Sequence, residues 1–360
     1  MRRSIKTCSL LLISCLTFSK GFSQDVGFSQ FYEQPLLRNP GLAGVFTGNI
    51  RVSASYRNQW ESVTIPYRTF GLSTEFKTPV NFVKDGYATF GLQILRDVAG
   101  TSQFNTTQIM PSLTYGVSLS EYRNSYLSFG FMGGSMQQRF DQTKLIFNDQ
   151  YVAGSNGSYS ISPASRQVFD NTSVNYFDAS VGLSYNGVFK NRLDDMYDID
   201  YFAGAGLYHI TMPEVSFFKG HIITLNRKFT LNAGLSAPTS ETDRFILYAD
   251  YFRQFNRRLK PIGISTIQAG AMYSHEFDQQ TLTLGMLYRM RDAVIPVIQL
   301  QWSQFMIGMS YDVNVDKLAV ASQRRGGFEL VLSYRDFLSS SRDTRSKEER
   351  RQSSCPKFGR

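Results

Sequence analysis

Cysteine and histidine are scarce in this chain, and their scarcity limits the chemistry it can carry. There are three of each among the 360 residues, and two of the cysteines, Cys8 and Cys15, lie near the amino terminus. Cys355 is the one cysteine outside this amino-terminal region, and it must stay free, pair with another chain or be modified. The histidines are His209, His221 and His275. Because none of them falls in an HExxH, nucleophile-elbow or Walker pattern, we predict no enzyme, no cofactor and no metal site.

Long apolar runs are absent beyond the first 23 residues. A transmembrane helix needs about 20 apolar residues in succession, so we expect none. Aromatic residues and glycine are abundant instead, with 29 Phe, 20 Tyr and 28 Gly. This composition fits an outer-membrane β-barrel, whose strands are apolar on one side only. It also fits a soluble β-sandwich, so the pattern along the chain has to decide.

The amino terminus has the order of a secretory signal peptide. Basic residues come first, an apolar stretch from Leu10 to Phe18 follows, and small residues precede a cut between Ser23 and Gln24. We therefore expect residues 1–23 to be removed and the protein to reach the outer membrane. The sequence around Cys15 loosely resembles a lipoprotein cleavage site, which leaves lipidation as an alternative.

The formal charge of +9 is unevenly distributed. Four basic residues belong to the signal peptide, which leaves 9 − 4 = +5 for the mature chain. Residues 341–360 hold seven basic and three acidic residues, a net of +4, so the body carries about +1. A body this close to neutral offers no basic surface for nucleic acid. We expect a basic periplasmic tail at 339–360.

Alternation of apolar and polar residues dominates from residue 48 to 338. Ala88, Phe90, Leu92 and Ile94, for example, alternate with polar or small residues. A period of two is typical of a strand with two unlike faces. We predict an all-β fold, a transmembrane antiparallel β-barrel of about 14 strands. The predicted strands begin near Gly48, Arg68, Gly86, Phe104, Ser125, Val174, Asp200, Lys228, Arg244, Ile262, Thr281, Val294, Phe305 and Gly326.

The lengths of the connections favour a membrane barrel over a sandwich. Odd-numbered connections should be long external loops and even-numbered ones short periplasmic turns. The fifth, seventh and thirteenth connections are long, whereas the sixth and the eleventh deviate from the rule. Ahead of the barrel, residues 24–47 have weak periodicity, and we expect this segment to cap the barrel or enter its lumen.

Several short motifs resemble one known family, and they occur in the expected order along almost the whole mature chain. They are Phe28–Phe31, Asn39–Gly41, Tyr56–Trp60, Gly204–Ile210 with Pro213, Tyr288–Arg289 with Asp292–Ala293, Tyr311–Val313, Gly327–Leu330 and Cys355–Phe358. With them the chain resembles the PorP/SprF family of type IX secretion-system membrane proteins. Gly41 stands where that family more often has Ala.

The resemblance implies an outer-membrane component of the type IX protein secretion and gliding system. Some members of this family assist export or surface anchoring of a specific secreted adhesin. The implied partners are outer-membrane lipid, the adhesin or another type IX substrate, and a periplasmic ring lipoprotein or peptidoglycan-binding partner. Two alternatives stay open: a passive channel of the porin or fatty-acid-transporter kind, and a barrel enzyme.

The candidate partner or structural residues are nine of those in the resembling motifs. They are Tyr56, Arg57, Asn58, Gln59, Trp60, His209, Arg289, Asp292 and Cys355. Arg57 should point into the lumen, because the lipid face disfavours arginine by about 2–4 kcal/mol near the midplane. Near Glu75 or Glu329 it could pin the N-terminal segment, or it could dock a partner, and the sequence favours neither.

Two further groups have simpler interpretations. His209, at the end of a strand, is best explained as a residue of the barrel rim. The acidic residues Asp194, Asp195, Asp198 and Asp200 could bind calcium. Their spacing does not match an EF-hand loop, so we expect a solvated turn.

Overall fold

The computed structural model describes twelve stretches of the chain. They are 27–61, 65–80, 86–120, 124–153, 158–161, 165–190, 198–220, 222–255, 261–278, 280–316, 319–320 and 322–336. The predicted signal peptide, the predicted basic tail with Cys355, and also His221, Asp194 and Asp195 lie outside these residues. Among the described residues no helix is long and apolar enough to cross a membrane.

The described chain forms sixteen strands. They are β1 (Ile50–Gln59), β2 (Tyr67–Val80), β3 (Gly86–Ala99), β4 (Phe104–Ser120), β5 (Ser125–Arg139), β6 (Tyr151–Ala153), β7 (Tyr159–Ile161), β8 (Ser173–Phe189), β9 (Ile199–Tyr208), β10 (Arg227–Pro238), β11 (Asp243–Phe255), β12 (Pro261–Phe277), β13 (Gln280–Arg289), β14 (Ala293–Trp302), β15 (Phe305–Asn314) and β16 (Arg325–Asp336). All but β6 and β7 form one closed antiparallel barrel, in which each strand pairs with its neighbours along the chain and β1 closes on β16. Strands β6 and β7 form a separate hairpin in the connection between β5 and β8.

The fourteen-strand prediction is confirmed. Strands β3, β4, β5 and β15 begin at the residues predicted from the alternation, Gly86, Phe104, Ser125 and Phe305, and the other barrel strands begin one or two residues away. Agreement this close arises because a barrel wall has lipid on one side and polar contents on the other. A shift of one residue would turn every side chain to the wrong face.

Neighbouring residues on β3 show the two faces of the wall. Thr89 is fully buried on the inside, whereas 54% of the surface of Phe90 is exposed on the outside. The same alternation places Pro111 of β4 on the outer face, opposite Leu92. A wall that is apolar outside and polar inside is the pattern of a transmembrane barrel.

The two ends of the barrel differ in the length of their connections. The connections 140–172, 209–226 and 315–324 leave β5, β9 and β15 at one end, which we call the long-loop end. At the opposite, short-turn end, β14 and β15 are joined by two residues and β10 and β11 by four. Connections 190–198 and 290–292 depart from this difference. In transmembrane barrels the longer loops are extracellular and the short turns periplasmic.

The core of the molecule lies inside the barrel. Its larger hydrophobic cluster joins Phe31, Tyr32, Leu42 and Val45 of the N-terminal segment to inward side chains of the wall. Those wall side chains include Phe202, Ile246, Tyr248, Met272 and Ile295. The N-terminal segment therefore forms a hydrophobic core with the inward side chains of the wall.

Candidate functional site: a segment held in the barrel lumen

Residues 27–49, which we call the lumen segment, run through the inside of the barrel. The segment has three short helical turns, a 3-10 turn at Phe31–Glu33, an α-helical turn at Pro35–Arg38 and a 3-10 turn at Pro40–Leu42. A proline begins each of the last two turns, as suits a position whose N–H has no helical partner. Turns this short are not stable alone, so contacts with the wall must hold their conformation.

Inward side chains of the wall donate hydrogen bonds to carbonyl oxygens of the lumen segment. Buried carbonyl groups need such partners, since an unpaired one costs free energy comparable to a lost hydrogen bond. The pairs are Gln268 to Ser29 at 2.6 Å, Tyr208 to Leu36 at 2.7 Å, Thr230 to Arg38 at 2.8 Å, Thr114 to Pro40 at 2.8 Å, Ser184 to Gly41 at 2.6 Å and Lys77 to Phe46 at 2.7 Å. These residues come from six strands between β2 and β12, and Gln30 bonds to Gln299 of β14 and to Glu329 of β16, so the segment is held from every side.

Two buried ion pairs tie the lumen segment to the wall. Arg38 forms a bidentate pair with Asp250 of β11 at 2.6 and 2.7 Å, and Glu33 pairs with Arg335 of β16 at 2.7 Å. The Arg38 guanidinium also lies 4.8 Å from the centre of the Phe31 ring. Losing one partner of a buried pair leaves an uncompensated charge, at a cost of about 3–5 kcal/mol. Each pair therefore fixes where the segment lies.

A third buried pair lies within the wall and supports the segment indirectly. Arg51 of β1 contacts Glu75 of β2 at 2.7 Å, and the two residues are directly opposite in the strand register. Glu75 also accepts the backbone N–H of Gly44 at 2.9 Å. The carboxylate thus joins two strands and the segment at one point.

Five charged residues near the long-loop end form what we call the latch cluster. They are Arg57, Arg289, Asp292, Asp312 and Glu329. Arg57 contacts Asp312 at 2.6 Å, and Arg289 contacts both Asp312 and Asp292. With two cations and three carboxylates the formal charge of the cluster is 2 − 3 = −1.

The latch cluster binds the beginning of the lumen segment. Glu329 accepts the backbone N–H groups of Ser29 at 2.6 Å and of Gln30 at 2.7 Å. The Ser29 hydroxyl donates to Asp312, and Arg57 donates to the carbonyl oxygen of Gly27. Hydrogen bonds to ionised groups are about twice as strong as neutral ones. Of the three carboxylates in the cluster, Glu329 is the one that accepts two backbone N–H groups of the segment.

The Asn39-Pro40-Gly41 turn lies directly against the backbone of β8. Asn39 donates to the Leu183 carbonyl at 2.9 Å and accepts the N–H of Gly41 at 2.8 Å. A Cβ atom added to Gly41 would lie 2.8 Å from the carbonyl carbon of Leu183. The neighbouring wall residue, Gly182, is equally close to the turn. Glycine on both sides lets the two backbones meet.

The lumen segment begins at the long-loop end and finishes at the short-turn end. Gly27 is exposed and bonded to Arg57, close to the end of β1 that leads to the long-loop end. At the other extreme, the N–H of Asn49 donates to the carbonyl of Asp336, the last residue of β16, at 2.8 Å. The chain therefore crosses the lumen once before β1 crosses back in the wall.

The structure brings three of the predicted residues together, Arg57, Arg289 and Asp292, all in the latch cluster. The two predicted neighbours of Arg57, Glu329 and Glu75, make different contacts. Glu329 is opposite Arg57 in the register but bonds to the lumen segment, and Glu75 pairs with Arg51 instead.

The rest of the Tyr56–Trp60 motif is not in the latch cluster. Tyr56 is exposed on the outer face of β1, and Asn58 donates to Glu61 at 2.9 Å. Gln59, the last residue of β1, pairs with Gly327 of β16. Trp60 packs edge-on against Tyr67 with ring centres 5.0 Å apart. Of this motif, Arg57 is the residue whose side chain bonds to the lumen segment in the described structure.

His209 is buried at the end of β9, with its Nδ1 atom 2.7 Å from Asp178. Thr211 donates to the same carboxylate at 2.9 Å. This arrangement fixes the start of the long connection 209–226. In the described part of the chain no group of three or more His, Cys, Asp or Glu residues could hold a metal ion.

The described members of the acidic group each pair with a cation. Asp198 contacts Lys190 at 2.7 Å, and Asp200 contacts Arg244 at 2.9 Å. The other two members, Asp194 and Asp195, lie outside the described residues.

Several important residues are not among the predicted ones, namely Glu33, Arg38, Asp250 and Asp312. A signal for Asp250 and Asp312 exists, because each has the inward parity of its strand, as Arg57 does. Glu33 and Arg38 lie in a segment without periodicity, where no parity argument applies.

Two small cavities border the lumen segment. One cavity of about 30 Å³ lies beside Tyr32 and Arg51, and another of about 20 Å³ beside Leu37 and His209. Spaces of this size hold one or two water molecules. The lumen segment is packed against the wall, with Leu36 and Phe46 fully buried.

A closed barrel with an apolar outer face and a packed, polar lumen defines the protein as an outer-membrane β-barrel protein. The chain belongs to the PorP/SprF family, since the family model described as "Type IX secretion system membrane protein PorP/SprF" matches residues 20–334. The resemblance found in the sequence motifs is thereby confirmed, and the protein is a membrane component of the type IX secretion system in the outer membrane.

Solved structures similar to this chain are barrels of very different sequence. The toluene transporter TodX of Pseudomonas putida is 10% identical, with 87% of this chain and 95% of that chain covered and a TM-score of 0.45. BamA of Haemophilus ducreyi lacking POTRA domains 1–3 is 9% identical, with 80% and 70% covered and a TM-score of 0.40. The translocator domain of the autotransporter NalP from Neisseria meningitidis is 14% identical, with 80% and 88% covered and a TM-score of 0.36. At these values the likenesses carry no argument about function. No curated protein matches the chain.

Proposed function

We propose that this barrel assists the export or the surface anchoring of one specific secreted adhesin, and that it is not an enzyme. The observation that supports this function over a passive channel is the occupied lumen. A channel needs a continuous water-filled path, whereas here the lumen segment is buried and bonded to the wall on every side. A plugged barrel suits a docking platform fixed in the membrane.

We propose different partners for three parts of the protein. The apolar outer face contacts outer-membrane lipid. The loops of the long-loop end are placed to hold an exported adhesin, or another type IX substrate, outside the cell. The basic tail at 339–360 follows the short-turn end, where a periplasmic ring lipoprotein or a peptidoglycan-binding partner would meet it.

Deleting the gene tests this function. Protease shaving and mass spectrometry compare the surface proteins of the deletion strain with those of its parent and of the complemented deletion strain. We expect one or a few large surface proteins to disappear while general type IX secretion continues. If surface proteins are unchanged and only the uptake of small solutes falls, the passive channel replaces the anchor.

A further inference from the structure

Five arginines of the barrel strands point outward, and all five lie near the long-loop end. They are Arg68 of β2, Arg96 of β3, Arg139 of β5, Arg227 of β10 and Arg253 of β11. Each has the outward parity of its strand. Arg96, for example, is opposite the exposed Phe70 and follows the buried Leu95. Arginine on the lipid-facing side of a barrel is least costly near the interface, so these side chains mark the level of the lipid headgroups.

The short-turn end has no counterpart to these arginines. In the described barrel strands, the outward positions at that end hold no arginine or lysine. Their acidic residues are Asp243, which bonds to His275 at 2.6 Å, and Asp336, which accepts the Tyr334 hydroxyl at 2.7 Å. Arginines that only extend to the polar interface would suit either end, because both leaflets have one. The asymmetry therefore indicates a ligand that is present on one side of the membrane.

Arg68, Arg96 and Arg139 form one group, which we call the outer arginine cluster. Arg68 and Arg96 are diagonal neighbours across the β2–β3 pair. Arg96 is opposite Thr107 of β4, and Arg139 is opposite Asn105 of the same strand. Because neighbouring strands lie about 4.8 Å apart, the cluster spans roughly 14 Å from β2 to β5. Arginine side chains are long, so all three can reach one headgroup.

The guanidinium groups of the cluster have no competing partner among the described residues. All three side chains are exposed, and in this part of the chain none of them forms a hydrogen bond or an ion pair. The other two outward arginines differ, since both are half-buried and Arg253 donates to the Tyr251 hydroxyl at 3.2 Å. The cluster is therefore the part of the outer face best suited to bind an anion.

The charge around the cluster is positive. The outward positions of β1 to β5 and of β8 hold these three arginines and no carboxylate. Asp97 faces the lumen, where it accepts the Thr69 hydroxyl at 2.6 Å, and Asp141, beyond the end of β5, accepts the Thr143 hydroxyl at 2.6 Å. The neighbouring connections 60–66 and 140–172 add Lys144 and Arg166 against Glu61, Asp141, Asp149 and Asp170, so the sum is 5 − 4 = +1. On the strand surface alone it is +3.

The outer face becomes apolar directly below the cluster. One residue pair further toward the short-turn end, about 7 Å along the strands, the facing residues are Leu72, Ile94 and Ile109, with Phe177 in the same row on β8. Ile109 is 49% exposed and Phe177 is 59% exposed. The cluster thus lies at the edge of the apolar band, where acyl chains give way to headgroups.

We propose that the outer arginine cluster binds the phosphate groups of lipopolysaccharide, the phosphorylated glycolipid of the outer leaflet. The long loops of transmembrane barrels are extracellular, so the long-loop end meets that leaflet. Guanidinium groups bind phosphate through paired N–H donors, which adds geometric specificity to the attraction of charge. This inference does not rest on the proposed function, because it assigns a lipid ligand and not an exported protein.

Lipid binding to the purified protein in detergent tests the proposal without any variant. Native mass spectrometry compares phosphorylated lipid A, the same lipid A after phosphatase treatment, and phosphatidylglycerol as a second anionic lipid. We expect phosphorylated lipid A to bind at least about tenfold more tightly than either, the scale of one hydrogen bond to a charged group. Equal binding of the dephosphorylated form would overturn the proposal. Equal binding of phosphatidylglycerol would overturn it as well, because the arginines would then serve any anionic lipid.

A triple variant locates the site. It combines Arg68→Gln, Arg96→Gln and Arg139→Gln, and its matched control removes three exposed cations from connections at the same end, with Lys144→Gln, Arg166→Gln and Lys219→Gln. Heat-dependent gel mobility first shows that both still form closed barrels. We expect the cluster variant to lose the preference for phosphorylated lipid A and the control to keep it. A cluster variant that keeps the preference, or a control that loses it equally, would refute the site.

Discussion

Glu329 on the last strand accepts the backbone N–H of Ser29 at 2.6 Å, although 300 residues separate the two in the chain. The same carboxylate accepts the N–H of Gln30 at 2.7 Å. The strand that closes the barrel against β1 therefore also holds the beginning of the lumen segment. One strand thus closes the wall through its backbone and places the segment through the Glu329 side chain.

Glu329→Ala should release the beginning of the lumen segment. A buried N–H group left without its acceptor costs about 1–3 kcal/mol, so the amides of Ser29 and Gln30 should exchange with deuterium at least about tenfold faster. Hydrogen exchange followed by mass spectrometry on the purified protein measures this. Ser333→Ala on the same strand is the control, because Ser333 bonds to Ser53 of the wall at 2.8 Å and not to the segment. Equal exchange in both variants would show that Glu329 is not the latch.

The wall could be predicted from the sequence because each strand separates two unlike environments. Thr89 and Phe90 differ in polarity, and the structure buries one inside and exposes the other outside. Arg57 could be assigned to the lumen in the same way, from the cost of placing arginine in lipid. Its ion-pair partner could not be found, because Asp312 is 255 residues away and only the closed ring brings them together.

The path of the lumen segment could not be predicted, and the physical reason is its lack of intrinsic structure. Its helical turns span three or four residues, too few to leave a periodic signal. Its conformation comes from wall residues such as Thr230 and Tyr208, far along the chain. Sequence patterns report local preferences, whereas here distant contacts decide.

The Arg38–Asp250 pair should contribute strongly to stability. Asp250→Ala leaves Arg38 charged and buried without its partner, and we expect a loss of about 3–5 kcal/mol in the free energy of unfolding. The double variant Arg38→Met with Asp250→Leu should recover much of this loss, because it removes both charges. Urea unfolding in detergent, followed by gel mobility with and without heating, measures both. Asp141→Ala in an exposed pair is the control and should change little. A double variant as unstable as the single one would contradict this account.

Gly182→Ala should disturb the contact between the lumen segment and β8. A Cβ at this position would lie 2.8 Å from the Gly41 nitrogen and closer still to the Asn39 side chain. We expect a destabilisation of about 1–3 kcal/mol, as for other overpacked sites. The control is Gly133→Ala, whose Cβ would lie 3.1 Å from the movable Phe177 ring on the outer face. The midpoint of urea unfolding should fall for the first variant and stay nearly constant for the second.

The basic tail should act by charge at the short-turn end. Residues 341–360 have a net charge of +4, and exposed charges are screened over about 8 Å at physiological ionic strength. Truncation after residue 338 should weaken co-purification of a periplasmic partner while leaving the barrel folded. Raising the salt concentration should weaken the intact protein's contact to a similar degree. A contact that survives both treatments does not depend on the tail.

Removing the lumen segment should turn a closed barrel into an open one. In planar bilayers we expect the intact protein to show no sustained conductance, because the segment fills the lumen and bonds to the wall on every side. A variant lacking residues 27–46, joined directly to the residues that precede β1, should conduct in discrete steps. Heat-dependent gel mobility must first show that this variant still forms a closed barrel. Buried charges of the wall such as Asp250 and Arg335 then line water, which costs far less than leaving them unpaired in a dry core. If the intact protein conducts as strongly as the deletion variant, the lumen segment is not a plug, and a passive channel is the better explanation of the barrel.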